Sequence, residues 1–286
     1  MKIANTRYEV TFDAKGGEMQ SFTDKEIGVQ YLYQGKEGSW SGKNPTLFPI
    51  VANTYDSTYV AKGKTYQFKN HGLIRYETLT CIANSDNQIT FELKSNADTL
   101  AHFPYVFTYH ITYTLDDNKL TVVYDITNDD DESMPFTFGL HPGFSTALLD
   151  GEKYEDYTLE FELEEDLEQL IFDGDKAIPH QFEKVHLKKI PLNFKLMEKY
   201  LTLIYRGMSS SYITLKGSKH GVKVSIAGYP YLAFWTPQKT DRFICIEPWY
   251  SHGDFEKIDV AFKDREGMME LPAHKSWTTS YTIEVF

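Results

Sequence analysis

Alternation of apolar and polar residues with a period of two recurs along most of this chain, and it confines the chain to sheets. The clearest case is VFTYHITYTLDDNKLTVVYDIT, where two alternating runs flank Asp116–Asn118. Successive side chains of a strand point to opposite faces, so this pattern buries one face and wets the other. Turn-forming residues between the runs imply hairpins. The same holds for YVAKGKTYQF around Gly63 and ETLTCIANSDNQITFELK around Ser85–Asn87. TLEFELE, YITLKGSKHGVKVSI and SWTTSYTIEVF carry the pattern to the C-terminus. One helix is expected, over about Pro191–Tyr200, and the acidic cluster Glu160–Glu168 reads as a solvated strand edge or turn.

Many short strands at regular spacing point to a sandwich or barrel. No linker, low-complexity tract or repeat divides the 286 residues, so one all-β domain over 1–286 is expected. A chain of this size buries a core without disulfides or metal, and its 20 Tyr and 19 Phe suit a pleated surface. A net charge of −12 disfavours nucleic acid and anionic membranes as partners. Cys81 and Cys245 form no metal-type pair and read as reduced thiols. With no apolar signal core at the start and no run of about 20 apolar residues, a cytoplasmic protein is expected.

Four segments break the alternation with Pro, Gly, Trp, His and charge: Trp40–Val51, Asn70–Arg75, Met134–Phe144 and Cys245–Asp254. Pro142 restricts His141 to extended backbone, which partly sets the direction of its ring. Such a His suits acid–base work near neutral pH, or equally a structural role capping a strand. Glu247 lies within ICIEPW, where a carboxylate is either desolvated with a raised pKa or paired with a fixed donor. Trp249 offers a flat face that suits either a sugar ring or the core. His71 sits in an Asn-His-Gly turn, and Arg75 could bind hydroxyls, a carboxylate or a phosphate. Of the remaining histidines, His252 is near enough to Glu247 in sequence to be a rim residue.

Taken in order, GGEMQSF, YLYQGKEGSWSGKNPTLFPIV, HGLIR, MPFTFGLHPGF and CIEPWYSHGD resemble the galactose mutarotase-like superfamily (aldose 1-epimerase family), and within it the LacX-like branch. The resemblance implies a β-supersandwich with an open cleft, using no metal or organic cofactor. It implies a small-molecule sugar, a hexose or hexose phosphate, as the partner. Interconversion of its α and β anomers would use Glu247 as base and His141 as acid. It also assigns His71 to sugar oxygen atoms and matches Arg75 to the arginine of the H-G-x-x-R form. Lys43 stands where the family often carries arginine, and lysine cannot make the same bidentate contacts.

Other readings remain. A hexose 6-phosphate would need cations, for which Arg75, Lys43 and Arg242 are candidates. A non-catalytic carbohydrate-binding sandwich would use Trp40, Trp235 and Trp249 as platforms. A metal enzyme would draw on His71, His141 and Glu247, although no H-x-H or H-x-x-E spacing supports it. A paired-carboxylate glycosidase lacks a second convincing carboxylate.

Overall fold

The expected alternation is realised in the burial of side chains. Along Phe107–Asp116 the buried positions are Phe107, Tyr109, Ile111, Tyr113 and Leu115, and along Lys119–Asn128 they are Leu120, Val122, Tyr124, Ile126 and Asn128. The two strands pair antiparallel from Phe107↔Asn128 to Asp116↔Lys119, turning at Asp117, whose φ is +50°. The Gly63 hairpin also forms, between Thr58–Ala61 and Lys64–Gln67.

The computed structural model describes residues 1–35, 38–173, 176–237 and 242–286; Lys36 and Glu37, inside the second quoted motif, lie outside them. Among the described residues the main element is a 15-stranded antiparallel sheet, with Thr46–Leu47 at one end of its order and Thr80–Asn84 at the other. This sheet doubles back on itself. Phe48, beside the first edge, packs at 5.3 Å and 6.0 Å on Phe107 and Tyr109 from near the opposite edge. Phe138 and Tyr124 close the same gap at 4.9 Å. A four-stranded sheet from the N-terminus covers part of it, with Phe12 4.6 Å from Tyr113. The fold is therefore mostly β, with large antiparallel sheets enclosing an aromatic core.

Two expectations need correction. The acidic cluster is not a solvated edge: Thr158–Asp173 pairs with Lys176–Pro191 on one side and with Leu203–Arg206 and Tyr212–Lys216 on the other. Within it Glu165 is buried, and its carboxylate accepts the Ser209 and Ser210 backbone N–H groups. Those donors come from a distant loop, so local charge density carried no hint of them. The second correction concerns helices. Phe194–Lys199 forms within the expected range, but a further helix, Ala97–His102, was missed. It is held by a capping box in which Asn96 accepts from Thr99 N–H and Thr99 Oγ1 accepts from Asn96 N–H.

Candidate active site

The floor of the site is one face of the sheet. Phe243–Trp249 is buried along its whole length, so it shows no alternation in sequence. Its register pairs Trp249 with Gly139 and Cys245 with Gly143. His141, midway between those glycines, therefore stands opposite Glu247, and Ile246 N–H donates to the intervening Pro142 carbonyl. On the other side Tyr231, Ala233 and Trp235 oppose Trp249, Glu247 and Cys245. Directly opposed residues project to the same face, so His141, Cys245, Glu247, Trp249 and Trp235 converge. Small residues leave room among them: a Cβ on Gly139 would lie 2.7 Å from the Trp249 ring, and one on Gly143 2.7 Å from Trp40.

Above this floor opens a cleft of about 640 Å³ that His141, Glu247, His71, Arg75, Trp249 and His252 line, as expected. Trp40 and Trp235 line it too. Lys43 does not: its backbone amide donates to Glu18 Oε1 and its carbonyl accepts from Gly143, so it shapes the loop behind the site. Arg242 is exposed and away from the lining. Phe172, Ala177, Thr202 and Ile204 complete the walls and were not singled out from sequence. Phe172, Ala177 and Ile204 sit on three separate strands and Thr202 just ahead of the third, and only the sheet order brings them here.

His141 Nε2 lies 3.3 Å from Glu247 Oε2, with both side chains almost wholly buried. His141 Nδ1 and Glu247 Oε1 have no hydrogen-bond partner among the described residues. Burial pushes the Glu247 carboxyl well above the usual carboxylate range; the neighbouring Trp249 indole and the Arg75 charge oppose this without outweighing it. The Trp249 Nε1–H itself falls short of hydrogen-bond geometry. Burial lowers His141 well below its usual value, helped by His71 and Arg75. Both shifts favour uncharged forms, so the resting pair shares one proton, held on the carboxyl side. Trp40 stacks on the His141 ring at 4.9 Å and Trp235 meets it edge-on at 5.6 Å.

His71 is fixed by its backbone. With φ at +66° it donates its N–H to the Ala52 carbonyl at 2.6 Å, while its Nδ1 accepts Ala52 N–H at 3.1 Å. That second bond makes Nε2 the protonated nitrogen. Burial, with Arg75 adding to it, takes its pKa down to about 3, so His71 is a neutral donor at physiological pH. Its ring meets that of His141 edge-on at 5.3 Å. Arg75 lies over Tyr76 and forms no ion pair among the described residues. His252 is held at the rim by stacking on Phe255 at 4.3 Å. Of the alternative metal set His71, His141 and Glu247, the described residues that bring ligand atoms together are His141 and Glu247 with Cys245 in place of His71.

Residues 1–283 match the family described as aldose 1-epimerase. The chromosomal LacX protein of Lactococcus lactis subsp. lactis is 30% identical over 270 residues, covering 87% of this chain and 87% of LacX. A galactose mutarotase related enzyme from Lactobacillus acidophilus superposes with a TM-score of 0.94 at 26% identity, covering 100% of this chain and 97% of the other. A galactose mutarotase-like protein from Lactobacillus casei ATCC 334 gives 0.88 at 28%, covering 100% and 99%.

Proposed function

Because this chain belongs to the aldose 1-epimerase family, we propose that it interconverts the α and β anomers of a hexose. The observation that carries this reading is the opposed His141–Glu247 pair at the floor of an aromatic cleft. Anomer exchange must remove the proton of the C1 hydroxyl and supply one to the ring oxygen. A carboxylate and an imidazolium side by side can do both. Sugar hydroxyls entering the cleft bring donors to the carboxylate and let the shared proton pass to His141 without any change in net charge. The Trp40 face stacked on the imidazole favours its cationic form at that moment.

Glu247 then takes the C1 hydroxyl proton while His141 gives its proton to the ring oxygen. The C1–ring oxygen bond breaks and the free aldehyde forms. Rotation about C1–C2 presents the other carbonyl face, and the two transfers run in reverse. His71 Nε2–H donates to a sugar oxygen and Trp249 flanks the ring.

Polarimetry of freshly dissolved α-D-glucose and α-D-galactose tests this. Acceleration that disappears in Glu247→Gln and His141→Asn is expected. Turnover near wild type in Glu247→Gln would refute the assignment.

A second substrate reading rests on Arg75, a cation in the cleft wall with no ion pair among the described residues. A hexose 6-phosphate would supply the missing anion. Exchange NMR on glucose 6-phosphate decides it: Arg75→Gln would then raise KM for the phosphate far more than for glucose.

A further inference from the structure

Cys245 takes no part in the proposed proton transfers, yet it stands between them. It is on the same face of the same strand as Glu247, two residues away, and opposite both Gly143 and Trp235. One ring nitrogen of His141, the Cys245 Sγ and a Glu247 carboxylate oxygen lie within 4.8 Å of one another, all on buried side chains. On two of these side chains an atom, His141 Nδ1 and Glu247 Oε1, is buried without a hydrogen-bond partner among the described residues. His141 and Glu247 open onto the cleft, which gives an entry path and leaves a coordination position free on that side.

We infer that this cluster binds a borderline-soft divalent cation such as Zn²⁺ through His141, Cys245 and Glu247. A sulfur, a nitrogen and an oxygen ligand suit Zn²⁺, whereas Mg²⁺ and Ca²⁺ prefer oxygen alone. From within 4.8 Å of one another, the three donors would close around one cation at the 2.0–2.3 Å typical of zinc ligation. Binding releases protons from the thiol and the carboxyl, so it strengthens as pH rises. The bound cation leaves neither a base for the C1 hydroxyl nor an acid for the ring oxygen, and it therefore inhibits. The inhibitory consequence rests on the proposed anomer exchange; the binding does not.

The test uses full-length protein stripped with a chelator, then titrated with Zn²⁺ alone by calorimetry and with Co²⁺ alone by absorption. One equivalent of Zn²⁺ is expected, together with an intense near-ultraviolet thiolate-to-Co²⁺ band. Cys245→Ser should abolish the band and weaken Zn²⁺ binding by more than the roughly 10–100-fold that loss of an outer-shell partner costs. Cys81→Ser should change neither. Cys245→Ala, with folding checked by circular dichroism, repeats the measurement should the serine variant misfold. Absence of the band, or Zn²⁺ binding unchanged by the loss of Cys245, overturns the site whether or not the protein acts on sugars. Inhibition of anomer exchange by Zn²⁺ should be reversed by chelator and missing in Cys245→Ser; inhibition that persists in the variant places the cation elsewhere and overturns the inference.

Discussion

His141 and Glu247 face each other across two antiparallel strands, with Nε2 and Oε2 3.3 Å apart and the neighbouring rungs filled by glycine at 139 and 143. The pair is thus set by sheet register rather than by a mobile loop. Register fixes position along and across the strands, so the two groups are held at a set spacing by the sheet itself.

Burial of Glu247 has a cost in stability. The raised Glu247 pKa means the folded state keeps a proton that the unfolded chain loses above about pH 4.5. Its contribution is fully present below that pH and falls as pH rises towards the folded value. Glu247→Gln should therefore melt higher than wild type at pH 7, while losing about 10²–10⁴ in kcat. The gain in Tm should shrink below pH 4.5. Thermal melts of both proteins across pH 4–8 check this, and a variant less stable than wild type at neutral pH would contradict it.

His71 gives the opposite slope. Its pKa of about 3 in the fold lies below the ordinary 6.5, so the unfolded chain binds the extra proton between those values. Stability contributed by His71 is present above 6.5 and is lost as pH falls towards 3, at up to about 1.4 kcal/mol per pH unit. His71→Gln should flatten the acid limb of stability against pH by up to that slope. In sugar kinetics the same variant should raise KM more than it lowers kcat.

Gly72 and Gly63 separate two effects of a methyl group. Both have positive φ, +80° and +72°, but a Cβ at Gly72 would lie 2.3 Å from the Phe48 carbonyl oxygen while one at Gly63 meets open space. Gly63→Ala should cost about 1–2 kcal/mol, the left-handed penalty alone. Gly72→Ala should cost clearly more, and should also impair sugar binding by displacing His71. Equal costs in urea denaturation would rule out the steric account.

Glu165 anchors the strand that bears Phe172 to the loop at Ser209 and Ser210. Glu165→Ala leaves the buried Ser210 N–H without its acceptor, a loss that costs about 1–3 kcal/mol, while the Ser209 N–H can turn to water. Glu165→Gln, which keeps one acceptor oxygen, should recover part of this. Chemical denaturation of the two variants measures the difference.

The long hairpins, the turns at Gly63 and Asp117, and the prominence of His141, Glu247, His71 and Arg75 were all legible in the sequence, because period-two alternation and Pro/Gly punctuation are local signals. The LacX-like motifs added the pairing of His141 with Glu247. Lys43 was drawn to the site by its motif, yet it is not among the cleft-lining residues, and its backbone ties the loop to Glu18 and Gly143. The helix at Ala97–His102 was hidden by its short length, although Asn96 and Thr99 have the spacing of a cap.

What the sequence determined by itself was therefore the sheet-forming character of the chain and the identity of its special loops. Tertiary structure alone decided that Glu165 would be buried, that Phe172, Thr202 and Ile204 would wall the cleft, and that Cys245 would lie beside His141 and Glu247. The physical reason is that strand pairing depends on contacts between residues remote in sequence. Alternation shows which residues share a face of one strand, but only the pairing of strands decides which faces meet.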